Sequence, residues 1–254
     1  MTHDGAQPLA GKVALVTGAG KNIGRAIALA LARDGAAVVV NGRSDRAAIE
    51  AVAAEITSFG GCAIAHLADV SDARATAQMV EAAVGQLGGL DIVVSNAGLR
   101  RQMPFLEISA AEWREIMSVA LDGAFHLAQA AVPHLIRRGG GAIIALSGIS
   151  NHVGTPNRAH VSASKAGLEG LMRALAIELA PHKITCNCVA PGAIDTQRGA
   201  SAGALPGTLT DQTIPLRRKG TVGEIAAMVR LLAGPEGAYI TGQTLHINGG
   251  TYLT

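Results

Sequence analysis

The chain has 254 residues, 49% hydrophobic and 16% charged, with a net charge of +2; this suits one large α/β domain and excludes a nucleic-acid partner unless basic residues cluster. The basic pairs Arg100-Arg101, Arg137-Arg138 and Arg217-Arg218 are isolated, and the aromatic share is 2%, so the core must be built from Ala, Val, Leu and Ile. No run of about eighteen uncharged apolar residues is present for a membrane span, and the opening MTHDGAQPLAG does not have the pattern of a signal peptide.

Along the chain, apolar runs at 12–17, 36–41, 62–67, 90–95, 142–147, 184–190 and 244–248 alternate with helix-like stretches. That alternation predicts βαβ units and a doubly wound parallel sheet of seven strands with helices on both faces, in one domain spanning 1–254. Several runs are nearly continuous, as expected of strands covered on both sides. In 23–33, Ile23, Ile27 and Leu31 fall at helical spacing and Gly35 follows as a stop. Ser109 with Glu112 reads as a capping box opening a long helix through Trp113, Met117 and Leu127, and Thr221 with Glu224 as another. Cys62, Cys186 and Cys188 make no disulfide or metal spacing; Cys186 and Cys188 share one strand face and read as buried thiols, in a reducing, cytoplasmic setting. The stretch 193–215 lacks periodicity and is rich in small residues. It follows a strand end, where open α/β sheets bind ligands, and reads as a substrate loop or as a plain surface excursion.

The first strand runs into Gly18-Ala-Gly20-Lys21-Asn22-Ile23-Gly24 and then a helix. Small residues in such a turn let backbone N–H groups approach a pyrophosphate, whose charge the helix N-terminus favours. Asn22 stands where such a turn usually has glycine; Asn tolerates positive φ, so the turn survives with a side chain added toward the ligand. After the second strand Gly42 offers no carboxylate for a ribose 2′-OH. Arg43 is placed for a 2′-phosphate, with Lys21 adding charge, and this favours NADP(H) over NAD(H). The alternative for Arg43 is a solvated loop residue.

With these features the chain resembles the short-chain dehydrogenase/reductase family across residues 12–250, which implies a Rossmann-type fold. Besides the glycine turn, Asp69-Val70 resembles the family's adenine-contacting pair. Asn96-Ala97-Gly98 is similar to its Asn-Ala-Gly turn. The segment 187–196, with Pro191, Gly192, Ile194 and Thr196, is similar to the turn that approaches the nicotinamide, and 240–250 resembles the closing strand. The resemblance implies a homotetramer paired through helices beginning near Ala110 and around Lys165, acting on a small-molecule substrate.

The family's active site uses Asn, Ser, Tyr and Lys, because hydride transfer to a carbonyl creates an alkoxide that needs an acid. Here the Tyr-x-x-x-Lys pattern falls on Val161 and Lys165. The serine position falls on Gly148, one residue after Ser147, and the asparagine position on Ala120. The only tyrosines, Tyr239 and Tyr252, are at the C-terminal end. Lys165 is expected to keep its hold on the nicotinamide ribose. His160, five residues before Lys165, matches a histidine in the 2,4-dienoyl-CoA reductase branch, which also lacks the tyrosine. That branch has aspartate at the asparagine position, and Asp122 is on the wrong side of an α-helix to replace it. Ser147, Ser150, His152 and Ser162 are further candidates to line a polar pocket, as are Asp195 and Arg198.

The expectation is therefore an NADP(H)-dependent oxidoreductase with a non-standard active site, reducing an activated C=C or C=N bond or a carbonyl. Two other readings stay open: a redox-inactive protein that senses NADP(H) or a metabolite, and a lyase or isomerase reusing the pocket without net hydride transfer.

Overall fold

The computed structural model describes residues 7–197 and 212–254. Each of the seven apolar runs forms a strand: β1 (Val13–Val16), β2 (Ala37–Gly42), β3 (Ala63–Leu67), β4 (Ile92–Ser95), β5 (Gly141–Leu146), β6 (Ile184–Pro191) and β7 (Thr244–Ile247). All pairings are parallel, in the order β3-β2-β1-β4-β5-β6-β7. The helices are α1 (Asn22–Arg33), α2 (Arg46–Ser58), α3 (Ala73–Leu87), α4 (Ala110–Met117), α5 (Gly123–Arg137), α6 (Ser150–Val153), α7 (Ala159–Leu179) and α8 (Val222–Ala233). α1, α2 and α8 cover one face of the sheet, and α3, α5 and α7 the other. Burial on both faces is why the strands read as continuous apolar runs. The largest fully buried side chains among the described residues are Leu, Ile and Met, such as Leu15, Ile27 and Met79.

Local signals set the helix ends. Thr221 and Glu224 form the complete capping box at α8, with Glu224 N–H donating to Thr221 Oγ1 at 3.2 Å and Thr221 N–H to Glu224 Oε2 at 2.7 Å. At α4 the expected box is half made. Ser109 Oγ accepts from Glu112 N–H at 3.1 Å, but the Glu112 carboxylate turns to Arg101, a charged partner stronger than a backbone amide. The long helix expected from 109 onward is interrupted: α4 and α5 join through a π turn, Ser118–Asp122. Such single-turn insertions recur at functional sites.

Because β1 lies between β2 and β4, the crossovers diverge there, and the crevice beyond the carboxyl ends of β1 and β4 is the ligand position such sheets favour. Asn96 locks that crevice: Nδ2 donates to the carbonyls of Thr17 (2.9 Å) and Gly18 (3.0 Å), while Thr17 Oγ1 accepts from the Asn96 and Ala97 N–H groups. Cys186 and Cys188 are buried on β6, and burial pushes both thiols up to about 12, whereas Cys62, just before β3, is exposed.

Candidate active site

The carboxyl ends of β1, β4, β5 and β6 open into a cleft of about 420 Å³. Its first wall is the glycine turn. Gly18 turns out of β1 at φ +60°, and a Cβ on Gly24 would fall 2.5 Å from Asn96 Nδ2 and closer still to Gly18 O, so only glycine lets α1 seat against β1. Asn22 takes φ 51° as expected of a glycine replacement. Its side chain, however, is already engaged: Nδ2 donates to Gln197 O and Oδ1 accepts from Gln197 N–H, both at 3.0 Å, lacing the turn to the segment after β6. Gly20 faces away, beneath α2, its Cβ position 3.2 Å from Ala48 Cβ.

Side chains cap α2, α3, α4 and α8, but none caps α1, and its first turn holds no acidic residue. That end, with Lys21, Asn22, Ile23 and Gly24, faces the cleft, leaving its free N–H groups and positive dipole end for an anion. Asn96, Ala97 and Gly98 form the next part of the lining, followed by Pro191, Gly192 and Ile194 from the end of β6. The Cβ position of Gly192 lies 2.7 Å from Asn248 Cα, which packs that turn on the strand end beside it. Lys165 reaches in from α7. Its ammonium donates to Leu146 O and lies 3.5 Å from the Cβ position of Gly98. Burial pushes its pKa down to about 8, with Arg100 adding to the fall and the Glu169 carboxylate opposing it. A glycine-lined turn, an uncapped helix end and a sunken lysine together fit a dinucleotide.

The remaining predicted cofactor residues lie outside this lining. Arg43 is exposed just past β2, as Lys21 is in the turn. Asp69 Oδ1 accepts from the Ser71 N–H (3.0 Å) and Oγ (2.7 Å), so this carboxylate braces its own turn. Val70 is buried, and its carbonyl accepts from Thr76 Oγ1 at 3.3 Å. Thr196 Oγ1 accepts from Arg100 at 3.3 Å. Asp195 N–H pairs with Gly220 O at 2.8 Å, while Arg198 and the rest of the predicted loop from 198 to 211 fall outside the described residues.

Val161 forms an apolar cleft wall beside Lys165, and Gly148 lines the cleft with nothing within 4 Å of its Cβ position. Ala120 is buried in the π turn and Asp122 is exposed. His160 is not brought to Lys165. One residue before Val161, it points about 100° round the helix from that cleft-lining side chain. It is fully buried against α4, its Nε2 3.7 Å from Glu112 Oε1. Burial pushes its pKa down, partly offset by Glu112. Tyr239 is fully exposed, and Tyr252 packs on the rings of His152 (5.0 Å) and His246 (4.9 Å) outside the cleft lining.

Ser147, by contrast, does line the cleft, and its hydroxyl donates to Glu169 Oε1. The same oxygen accepts from Asn151 Nδ2 at 3.0 Å and bonds His152 Nε2 at 2.9 Å. Ser150 lines the cleft as well, and Ser162 Oγ donates to its carbonyl at 3.3 Å. Glu169 is absent from the sequence reading; its signal was a charge inside the apolar stretch Leu168-Glu-Gly-Leu-Met172, four residues after Lys165. Asn41 was also passed over. Buried at the end of β2, its Nδ2 donates to the carbonyls of His66 and Ala68, and its Oδ1 faces the Gly18 N–H at 3.4 Å.

Residues 18–252 match the family model described as enoyl-(acyl carrier protein) reductase. The chain is 42% identical over 245 residues to the 3-oxoacyl-[acyl-carrier-protein] reductase FabG of Staphylococcus aureus, covering 95% of this chain and 98% of that one. The chain belongs to the short-chain dehydrogenase/reductase family. Among solved structures of this family, a dehydrogenase/reductase from Sinorhizobium meliloti 1021 superposes with a TM-score of 0.90 at 38% identity, covering 98% of each chain. A 7α-hydroxysteroid dehydrogenase complexed with NADH and 7-oxo glycochenodeoxycholic acid gives a TM-score of 0.91 at 32% identity, again over 98% of each chain. The single-domain, seven-stranded parallel architecture is therefore that of the family.

Proposed function

We propose that the chain is an NADP(H)-dependent short-chain reductase whose active site works without the tyrosine-centred proton relay. The observation that carries this reading is the shared cleft: the uncapped end of α1, the Lys165 ammonium and the apolar Val161 all line it. A nicotinamide nucleotide bound there would supply or accept a hydride. The turn at Gly18, Lys21, Asn22, Ile23 and Gly24 would receive its pyrophosphate, and Lys165 would bind the ribose hydroxyls. Arg43, exposed just past β2, and Lys21, exposed in the turn between β1 and α1, supply the positive charge that a 2′-phosphate requires.

The side chains at Ala120, Gly148 and Val161 neither hold nor release a proton. Ser147 and Ser150 are the hydroxyl groups of the predicted set that line the cleft with Lys165. A substrate that needs little acid help fits this wall, such as an activated C=C or C=N bond, or a carbonyl like that of the 3-oxoacyl thioesters named for the FabG relatives. Exposed apolar side chains on α4, α5 and α7 (Trp113, Phe125, Ile177) support assembly through these helices as a homotetramer, which light scattering would report.

The test is direct. NADPH should bind more tightly than NADH by fluorescence titration; binding of neither overturns the reading. A panel of enones, imines, ketones and a 3-oxoacyl thioester, followed at the NADPH absorbance, then reports turnover. Binding without turnover is the outcome that favours a sensor. Val161→Tyr combined with Gly148→Ser should raise carbonyl reduction, since the space at Gly148 accepts a side chain.

A further inference from the structure

We infer that Ser147, Glu169 and His152 form a proton relay from solvent to the cleft, with Ser147 meeting the substrate oxygen and Glu169 and His152 positioning and recharging it; this rests on the reductase reading above. Ser147 follows β5, its N–H fixed on Val189 O at 2.8 Å, so its hydroxyl is held at the cleft wall beside Gly148. Behind it, Glu169 is 5% exposed on α7, one turn past Lys165. A carboxylate so buried requires donors to offset its desolvation, and one oxygen, Oε1, has three: Ser147 Oγ, Asn151 Nδ2 and His152 Nε2. The His152 side chain is 18% exposed. A single buried oxygen therefore joins a hydroxyl in the cleft to an imidazole that reaches water. The other charged and titratable groups facing it are Lys165 from α7, Cys188 from β6, His246 from β7 and Tyr252 beyond it.

In the reductive direction a bound reduced nicotinamide would supply the hydride, and with it the electron pair, to the substrate carbon. The Ser147 hydroxyl turns its hydrogen to the substrate oxygen and accepts a replacement from the protonated Glu169 Oε1. Oε1 has taken that proton from charged His152 Nε2, and His152 regains one from solvent. One O–H bond forms on the product, one proton leaves water, and each side chain ends as it began. Oxidation runs the chain backwards.

The experiment uses the full chain with Ser147→Ala, Glu169→Gln and His152→Asn, measuring NADPH affinity by fluorescence and kcat, KM and the pH profile with whichever ketone or 3-oxoacyl thioester of the panel above is turned over. Ser147→Ala and Glu169→Gln should lower kcat on the order of 10²-fold, while the NADPH Kd stays within about twofold, because neither side chain is assigned to the nucleotide. His152→Asn keeps a donor for Glu169 but cannot pass it a proton, so kcat should fall and its pH profile should change. A purely structural cluster would leave both in place, and a His152→Asn kcat and pH profile matching the wild type overturn the relay even where Glu169→Gln fails to fold. Wild-type protein that binds NADPH but turns over no carbonyl also overturns the relay, and leaves nucleotide binding standing. Protein that binds no NADPH overturns both.

Discussion

Asn22 holds a left-handed backbone that costs most non-glycine residues roughly 1–2 kcal/mol and asparagine less, and it does so while clamping the backbone of Gln197 through two hydrogen bonds. Asn22→Gly removes the clamp and the strain together. Stability should change by less than about 1 kcal/mol, but NADPH release should accelerate severalfold in stopped-flow fluorescence; an unchanged rate would show that the clamp does not retain the nucleotide. Lys165 gives a pH-dependent counterpart. Its folded pKa lies below its unfolded value, so the unfolded chain binds more protons at this lysine between about 8 and 10.5, and the lysine's own contribution to the stability of the nucleotide-free protein should grow with pH through that window, opposed above about 9 by the buried Cys186 and Cys188 thiols. Over the same rise the ammonium discharges, and NADPH affinity should fall above about pH 8. Lys165→Met should flatten the affinity curve and remove the lysine's rising contribution to stability. The lysine and the turn were legible because each is a short contiguous pattern. The Glu169 cluster was not: its bonds join residues 17 to 22 apart, across α6, α7 and the end of β5, so nothing local announces them.

Elements rather than single residues explain why the glycine turn tolerates so little change. α1 packs against the ends of β1 and β4 through Gly24, where a Cβ would overlap backbone. Gly24→Ala should therefore cost about 1–3 kcal/mol by overpacking, visible as a lower Tm, and abolish NADPH binding. Gly148→Ala, with open space at its Cβ position, should leave Tm within a degree or two of the wild type. All seven strands and the α8 capping box were readable because burial on both faces and cap chemistry write themselves into adjacent residues. The π turn at Ser118–Asp122 was not. It arises from how α4 and α5 fit the rest of the molecule, and its sequence, SVALD, carries no breaker. It also removes the α-helical spacing by which Asp122 was set aside, although exposure leads to the same conclusion.

At the scale of the whole molecule, Asp91 fastens three elements at the edge opposite the cleft. Its buried carboxylate accepts from Val13 N–H (3.0 Å), Lys12 Nζ (3.1 Å) and Arg138 Nε and Nη2 (3.1 and 3.0 Å), tying the entries of β1 and β4 to the end of α5. Burial alone would raise its pKa, but the bonds from Arg138, Val13 and Lys12 outweigh it and hold the carboxyl below its usual 3.8. The stability it contributes is present above that value and lost as pH falls through the folded pKa. Asp91→Ala should destabilise by about 3 kcal/mol, at the lower end for a broken buried pair because both cations are partly exposed, and acid unfolding of Asp91→Asn should lose part of its pH dependence. Burial of Cys186 and Cys188 beneath the same sheet leaves one accessible thiol, Cys62, at the mouth of β3. Under native conditions a maleimide dye should add a single mass increment. That would give the native chain a unique attachment point for energy-transfer measurements, with no cysteine needing to be engineered away.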